Sequence, residues 1–119
     1  MVNNAGIAPD ASEPHPIWEM PLETFDSTWK VNARGVFLGC KYAGTQMMRQ
    51  ERLQNDHRAG TIINMASVLG VLGKSGTSSY AASKGAVIAL TRTVAMDYAP
   101  HHIHCNSILP GCKSAHTMY

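Results

Sequence analysis

Two helical stretches, each followed by a short apolar strand, constrain this chain more than any other feature. Phe25, Trp29, Ala33, Val36, Phe37, Cys40 and Met47 recur at helical spacing, so 22–50 reads as a long amphipathic helix. Thr61-Ile62-Ile63-Asn64-Met65-Ala66 is short, partly β-branched and bounded by Gly60, which predicts a buried strand over 61–66. A second helix is expected from about Ser79 to Tyr98, stopping before Pro100, with Ser78 or Ser79 placed to cap it. Ile103 to Leu109 reads as a second strand, ended by Pro110-Gly111. Helix, strand, helix, strand in that order implies α/β layering with parallel strands.

The remaining segments read as connections. Residues 9–21 carry Pro9, Pro14, Pro16 and Pro21 and predict a surface loop. The polar run from Gln54 to Gly60 ends the first helical unit, and Val68 to Ser78 is a loop rich in Gly and Ser. Gly35, Gly39 and Gly44 lower helix propensity, so their use is close packing against another backbone. Ala81, Ala82, Gly85, Ala86 and Ala89 allow the second helix tight contact with a strand, a cofactor or a second copy.

A length of 119 residues suits one small domain. With 45% hydrophobic and 15% charged residues it is globular in composition. The best apolar stretch, Gly85 to Ala95, is broken by Arg92 and too short for a bilayer, so no membrane partner is expected. A scattered net charge of +2 argues against nucleic acid. Met1-Val2-Asn3-Asn4 lacks the basic start and apolar centre of a signal peptide. Cys40, Cys105 and Cys112 are odd in number and form no C-x-x-C, which fits a reducing, cytoplasmic compartment without a disulfide framework. His101, His102 and His104 fall on neighbouring positions of an extended segment and point to opposite faces, so no metal site is expected.

The chemistry concentrates in the second helix. Tyr80 and Lys84 stand at i and i+4, on one helix face, with Ser67 thirteen residues upstream of the tyrosine. A phenol ionises near pH ~10 and is a poor acid or base at neutrality. A fixed ammonium favours the phenolate and lowers that value. Ser67 would then bind a substrate oxygen whose proton Tyr80 gives or takes.

Five segments in order resemble the short-chain dehydrogenase/reductase family. Asn3-Asn4-Ala5-Gly6 is similar to its NNAG segment after the fourth strand. Val31-Asn32-Ala33-Arg34-Gly35 resembles the helix carrying its active-site Asn, and residues 60–67 resemble the strand ending in its active-site Ser. Ser79-Tyr80-Ala-Ala-Ser-Lys84-Gly85 resembles the Tyr-Lys motif, and Asn106 to Gly111 the last strand before the substrate loop. The resemblance implies an oxidoreductase that passes hydride between NAD or NADP and a small alcohol or ketone. It implies Tyr80 as general acid/base, Lys84 as the cation that lowers its pKa and holds the nicotinamide ribose, and Ser67 as the group orienting the substrate oxygen. Asn32 would hold a water linking Lys84 to solvent, while Asn3, Ala5 and Gly6 would lie against the adenosine side of the cofactor. Each position also has a plainer use: Asn32 mending a break in its helix, Ser67 capping the loop after its strand, Gly6 making a turn.

The resemblance runs from residue 1 to about 111. The family's Gly-rich pyrophosphate turn and the element that selects NAD or NADP have no counterpart here; Gly70, Gly73 and Gly76 lie in the active-site loop instead. Lys113 stands where an apolar residue is common, and Cys112 to Thr117 fits the family pattern poorly. The expected fold is therefore a partial Rossmann-like one: a truncated doubly wound parallel sheet, two strands plus a stub at Val2-Asn3, with both long helices on one face. Residues 1–119 read as a single incomplete NAD(P)-binding domain. A sheet with one bare face recovers less apolar burial, which predicts marginal stability and a homo-oligomer through the two long helices, or aggregation. Phe37, Cys40, Met47 and Ala89 are candidates for that interface or for the monomer core. The alternative function is a catalytically inactive remnant of such an enzyme. A third reading, an epimerase or dehydratase relative, fits the Ser-to-Tyr spacing and the NNAG segment less well.

Overall fold

A computed structural model of the chain describes residues 1–50 and 59–111. Its elements are β1 (Val2–Asn3), α1 (Pro9–Ser12), α2 (Leu22–Trp29), α3 (Gly35–Arg49), β2 (Gly60–Met65), α4 (Ser78–Tyr98) and β3 (Ile103–Ile108). The strands form one parallel sheet in the order β1-β2-β3, with Asn3 opposite Asn64 and Ile62 opposite Cys105. The α/β layering read from the sequence is the architecture observed.

The sheet is covered on one side. Ile62 and Asn64 of β2 and Ile103 and Cys105 of β3 are buried, while His104, Asn106 and Ile108 are exposed. This period-2 alternation departs from the continuous burial usual for parallel strands. The covered face packs against Val36 and Cys40 of α3 and Val87, Ile88 and Val94 of α4, which together make the core. Both long helices thus share one face, as expected.

Three assignments differ from the sequence reading. The helix over 22–50 is not uniform: a π-helical turn, Lys30–Arg34, joins α2 to α3. The extra residue rotates the stripe, so Phe25, Trp29 and Phe37 are exposed at 38%, 40% and 50% while Thr28, Asn32 and Val36 are buried. Phe25 and Trp29 stack on each other at 5.8 Å on that outer surface. The segment 9–21 is not all loop, since it holds α1 and a 3₁₀ turn at Ile17–Glu19. Neither Ser78 nor Ser79 caps α4: the helix starts at Ser78, the cap position falls on Thr77, and Thr77 makes no side-chain capping bond. The polar run from 54 lies almost wholly outside the described residues, as do Cys112 to Thr117.

The helix glycines serve close approach. A Cβ on Gly44 would sit 2.1 Å from the Tyr98 ring, whose hydroxyl donates to the Cys40 carbonyl at 3.2 Å. Of the four candidates for interface or core, Cys40 is buried, Met47 packs on the core, and Phe37 and Ala89 face outward.

Candidate functional site

The parallel strands end on the same side of the sheet, and the segments leaving them build a cleft there. Ala66 N–H donates to the Ile108 carbonyl at 2.8 Å and Val68 N–H to the Pro110 carbonyl at 3.1 Å, so the chains beyond β2 and β3 stay zipped together. A cleft of about 280 Å³ opens above them, lined among others by Gly6, Ile7, Ser67, Tyr80, Lys84 and Pro110. The structure brings Tyr80, Lys84, Ser67 and Gly6 to this one cavity.

Lys84 is 5% exposed, and its Nζ donates to the Met65 carbonyl at 2.7 Å. Burial pulls its pKa below the ordinary lysine value, because the charged form is the one that loses hydration. The Nζ lies 5.7 Å from the centre of the Tyr80 ring. Helical spacing accounts for that pairing, and the last carbonyl of β2 accounts for the direction in which the ammonium points. Ser67 is buried, and its Oγ accepts from Leu69 N–H at 3.2 Å, starting the 3₁₀ turn Val68–Gly70. That is the capping use; the hydroxyl proton remains available for another acceptor.

Asn32 lies at the centre of the π turn and is fully buried. Its side chain does not mend its own helix. Oδ1 accepts from Ile7 N–H at 2.8 Å, while Nδ2 donates to the Ile7 carbonyl at 2.8 Å and to Ser83 Oγ at 3.0 Å. One amide thereby fixes the segment after β1 to α4. A Cβ on Gly6 would lie 3.4 Å from both Asn32 Oδ1 and Lys84 Nζ, so the missing side chain leaves that space open.

Asn3 and Ala5 belong to a different cleft, of about 210 Å³, at the β1 edge with Val31, Gly35 and Val36. The Asn3 side chain turns inward, and its Nδ2 donates to Asn64 Oδ1 at 2.8 Å. Asn64 in turn donates to Thr91 Oγ1 at 2.9 Å and lies 3.5 Å from Cys40 Sγ and 3.6 Å from Cys105 Sγ. Pairing with the Cys105 thiol brings Cys40 down to about 7 against the opposing effect of burial, and the same pairing pushes Cys105 well above the ordinary thiol value. These are two ends of one shared titration that belongs to the pair.

Sequence reasoning missed three residues that organise this region. A lone Asn inside an apolar strand was the available signal for Asn64, since a buried amide needs partners. Ser83 stood inside the Tyr80–Lys84 motif without a role. Asp10 gave no local signal. Its Oδ2 accepts from Ser79 Oγ at 2.7 Å and from Tyr80 N–H at 2.9 Å, across 69 and 70 residues of sequence.

Comparison with known proteins bears on what this cleft does. A family model described as short chain dehydrogenase matches residues 1–118. The 2-(R)-hydroxypropyl-CoM dehydrogenase of Xanthobacter autotrophicus is 44% identical over 111 residues, covering 93% of this chain and 41% of that protein. The (3R)-3-hydroxyacyl-CoA dehydrogenase of Homo sapiens is 40% identical over 111 residues, covering 93% of this chain and 39% of the relative. The crystal structure of NAD+-bound xylitol dehydrogenase superimposes with a TM-score of 0.78 at 37% identity, over 92% of this chain and 38% of that one. The chain spans about two fifths of the length of the curated relatives it matches.

Proposed function

We propose, because this chain belongs to the short chain dehydrogenase family, that it carries the acid–base half of an NAD(P)-dependent oxidoreductase site interconverting an alcohol and a carbonyl. One observation carries this reading: Tyr80, Lys84 and Ser67 line a single cleft at the strand ends, where the buried Lys84 is the charged residue of the lining among the described residues. We read residues 1–119 as a single incomplete NAD(P)-binding Rossmann-like domain and place it in the cytoplasm. Among the described residues no helix is long and apolar enough to cross a membrane.

The cleft fits the reacting end of a nicotinamide nucleotide. Lys84 spends one N–H on Met65 and has two more to offer, and Gly6 leaves a space where a Cβ would stand 3.4 Å from that ammonium. Lys84, Tyr80 and Gly6 would hold this end, with Asn3 and Ala5 toward the adenosine side. The nucleotide, when bound, supplies or takes up the hydride. Tyr80 gives its phenolic proton to the carbonyl oxygen in reduction and takes it from the hydroxyl in oxidation. The Lys84 charge beside the ring stabilises negative charge on the phenol oxygen. Ser67 donates its O–H to the same substrate oxygen while its Oγ accepts from Leu69 N–H. The open space between Asn32 Oδ1 and Lys84 Nζ offers room for the water of a proton relay.

The substrate in this reading is a small or medium alcohol or ketone, a class that includes the xylitol for which one similar structure is named. Association of copies through the two long helices is part of the same reading: a groove of about 270 Å³ runs between them, lined by Trp29, Ala33, Arg34, Phe37, Ala86 and Leu90.

The test is turnover of 2-butanol with NAD+ or NADP+, beside titration with NADH and NADPH. Tyr80→Phe should abolish nearly all turnover and leave cofactor affinity intact, and Lys84→Ala should impair both. Equal turnover in Tyr80→Phe and the wild type overturns the mechanism. Absence of saturable micromolar binding of either nucleotide supports the inactive-remnant reading instead.

A further inference from the structure

The first turn of α4 carries Tyr80, yet its free amides are not served by its own cap residue. Thr77 makes no side-chain capping bond, and no acidic residue lies in the first turn. A helix start needs acceptors for these N–H groups. The acceptor here is Asp10, on α1. One oxygen, Oδ2, takes both the Ser79 hydroxyl at 2.7 Å and the Tyr80 amide at 2.9 Å. Asp10 is fully buried, and among the described residues its Oδ1 has no hydrogen-bond partner. A buried carboxyl with an unsatisfied oxygen is a poor choice for stability alone, because the lost hydration of that oxygen is not repaid.

What the arrangement does is geometric. The segment between β1 and α1 contains Gly6, Ile7 and Ala8, which form one wall of the cleft, and Tyr80 forms part of the other. That segment is held at two points. Asn32 grips Ile7 through both backbone groups, and Asp10 grips the start of α4. With both clamps closed, the separation of the wall from the Tyr80 ring has little freedom left. Without Asp10, the first turn of α4 keeps its internal helical bonds but loses the tie that fixes its position against the wall.

We propose that Asp10 is a positioning residue for Tyr80, setting where the phenol stands in the cleft by anchoring the first turn of α4 from across the fold. The proposal rests on the reading of Tyr80 as acid and base. It predicts an effect on the rate of the chemical step, rather than on substrate affinity, when the anchor is removed.

The experiment compares Asp10→Ala, Asp10→Asn and Ser79→Ala with the wild-type chain, using 2-butanol and NAD+ as probes and ¹³Cζ-tyrosine NMR with Tyr80 assigned through Tyr80→Phe. Asp10→Ala should lower kcat at least tenfold with KM for the alcohol within threefold, and should displace the Tyr80 ring signal while Tyr42 and Tyr98 stay in place. Asp10→Asn, whose amide oxygen still accepts from both donors, should restore kcat to within threefold of wild type and return the Tyr80 signal. Wild-type kcat and an unmoved Tyr80 signal in Asp10→Ala overturn the proposal, as does failure of Asp10→Asn to recover either. Should Asp10→Ala not fold, Ser79→Ala removes one of the two donors and should lower kcat threefold or more; no change there overturns the proposal equally. If Tyr80→Phe itself retains turnover, the acid–base reading falls. The displacement of the Tyr80 signal still decides whether Asp10 positions the ring.

Discussion

The Lys84 ammonium donates to the main-chain carbonyl of Met65 at 2.7 Å, so the cation beside Tyr80 is anchored to the last residue of β2 rather than left to rotate. This couples the sheet to the helix that carries the phenol. A side chain so held is 5% exposed, and burial depresses its pKa.

That depression makes stability depend on pH with a defined sign. The unfolded chain keeps the lysine proton up to about the ordinary value of 10.5, whereas the folded chain releases it earlier. Between those two points the unfolded state binds more protons, so stability rises with pH. Below the folded-state value the burial penalty on the cation is present in full. In Lys84→Met this component is absent. Urea midpoints measured from neutral pH to about 10.5 should show the wild type gaining on Lys84→Met as pH rises. A constant difference between the two would refute the buried-cation assignment.

Asn32 makes three hydrogen bonds inside the fold, two to Ile7 and one to Ser83. Asn32→Ala leaves the Ile7 backbone groups and the Ser83 hydroxyl without these partners, and a loss of about 2–4 kcal/mol is expected. Asn106 provides the contrast: it sits on the exposed face of β3, and Asn106→Ala should stay within about 0.5 kcal/mol of wild type. Equilibrium urea unfolding of both variants checks the difference. Equal effects would mean that the clamp at the π turn carries no stability.

The thiol pair should separate when one member is removed. Cys40 is lowered to about 7 chiefly by its pairing with Cys105, while burial acts in the opposite direction. In Cys105→Val only burial and Asn64 remain, and Cys40 should then ionise at higher pH than in the wild type. Thiolate absorbance followed against pH, in a Cys112→Ser background, measures this. An unchanged Cys40 titration would show that Cys105 is not its partner.

The order of elements was legible in the sequence because each strand is a compact apolar run and each helix repeats its apolar positions over several turns. The convergence of Tyr80, Lys84 and Ser67 was legible too, since helical spacing fixes the first two and the end of a strand fixes the third. What escaped was long-range polar pairing. Nothing near Asp10 announces a partner 70 residues away, and Ser79 looked like a local cap because the residue that uses its hydroxyl comes from α1. The π turn escaped for a related reason. A single extra residue leaves the apolar count of 22–50 unchanged while turning Phe25, Trp29 and Phe37 outward. Asn3 illustrates a third limit: a strand residue next to a motif points into the core or away from it according to register, and its pairing opposite Asn64 directs it inward.

Gly70 and Gly85 bring the loop after Ser67 into backbone contact with α4, one residue beyond Lys84. A Cβ on Gly70 would stand 2.8 Å from the Lys84 carbonyl carbon and 2.9 Å from the Gly85 nitrogen, and one on Gly85 would stand 3.3 Å from the Gly70 oxygen. These are main-chain atoms in the middle of a helix, so they cannot swing aside as a side chain would. Gly70→Ala must therefore push the 3₁₀ turn away from α4, at an expected loss of about 1–3 kcal/mol. Gly73 lies three residues on in the same loop, and among the described residues a Cβ there meets nothing within 4 Å. Gly73→Ala should be neutral or stabilising by up to about 1 kcal/mol, because it narrows the unfolded ensemble without a clash. Because the turn starts at Ser67, Gly70→Ala should also weaken turnover more than Gly73→Ala does. Unfolding and turnover measured on the pair decide the matter: if the two alanines behave alike, close approach at Gly70 does not hold Ser67 against the lysine.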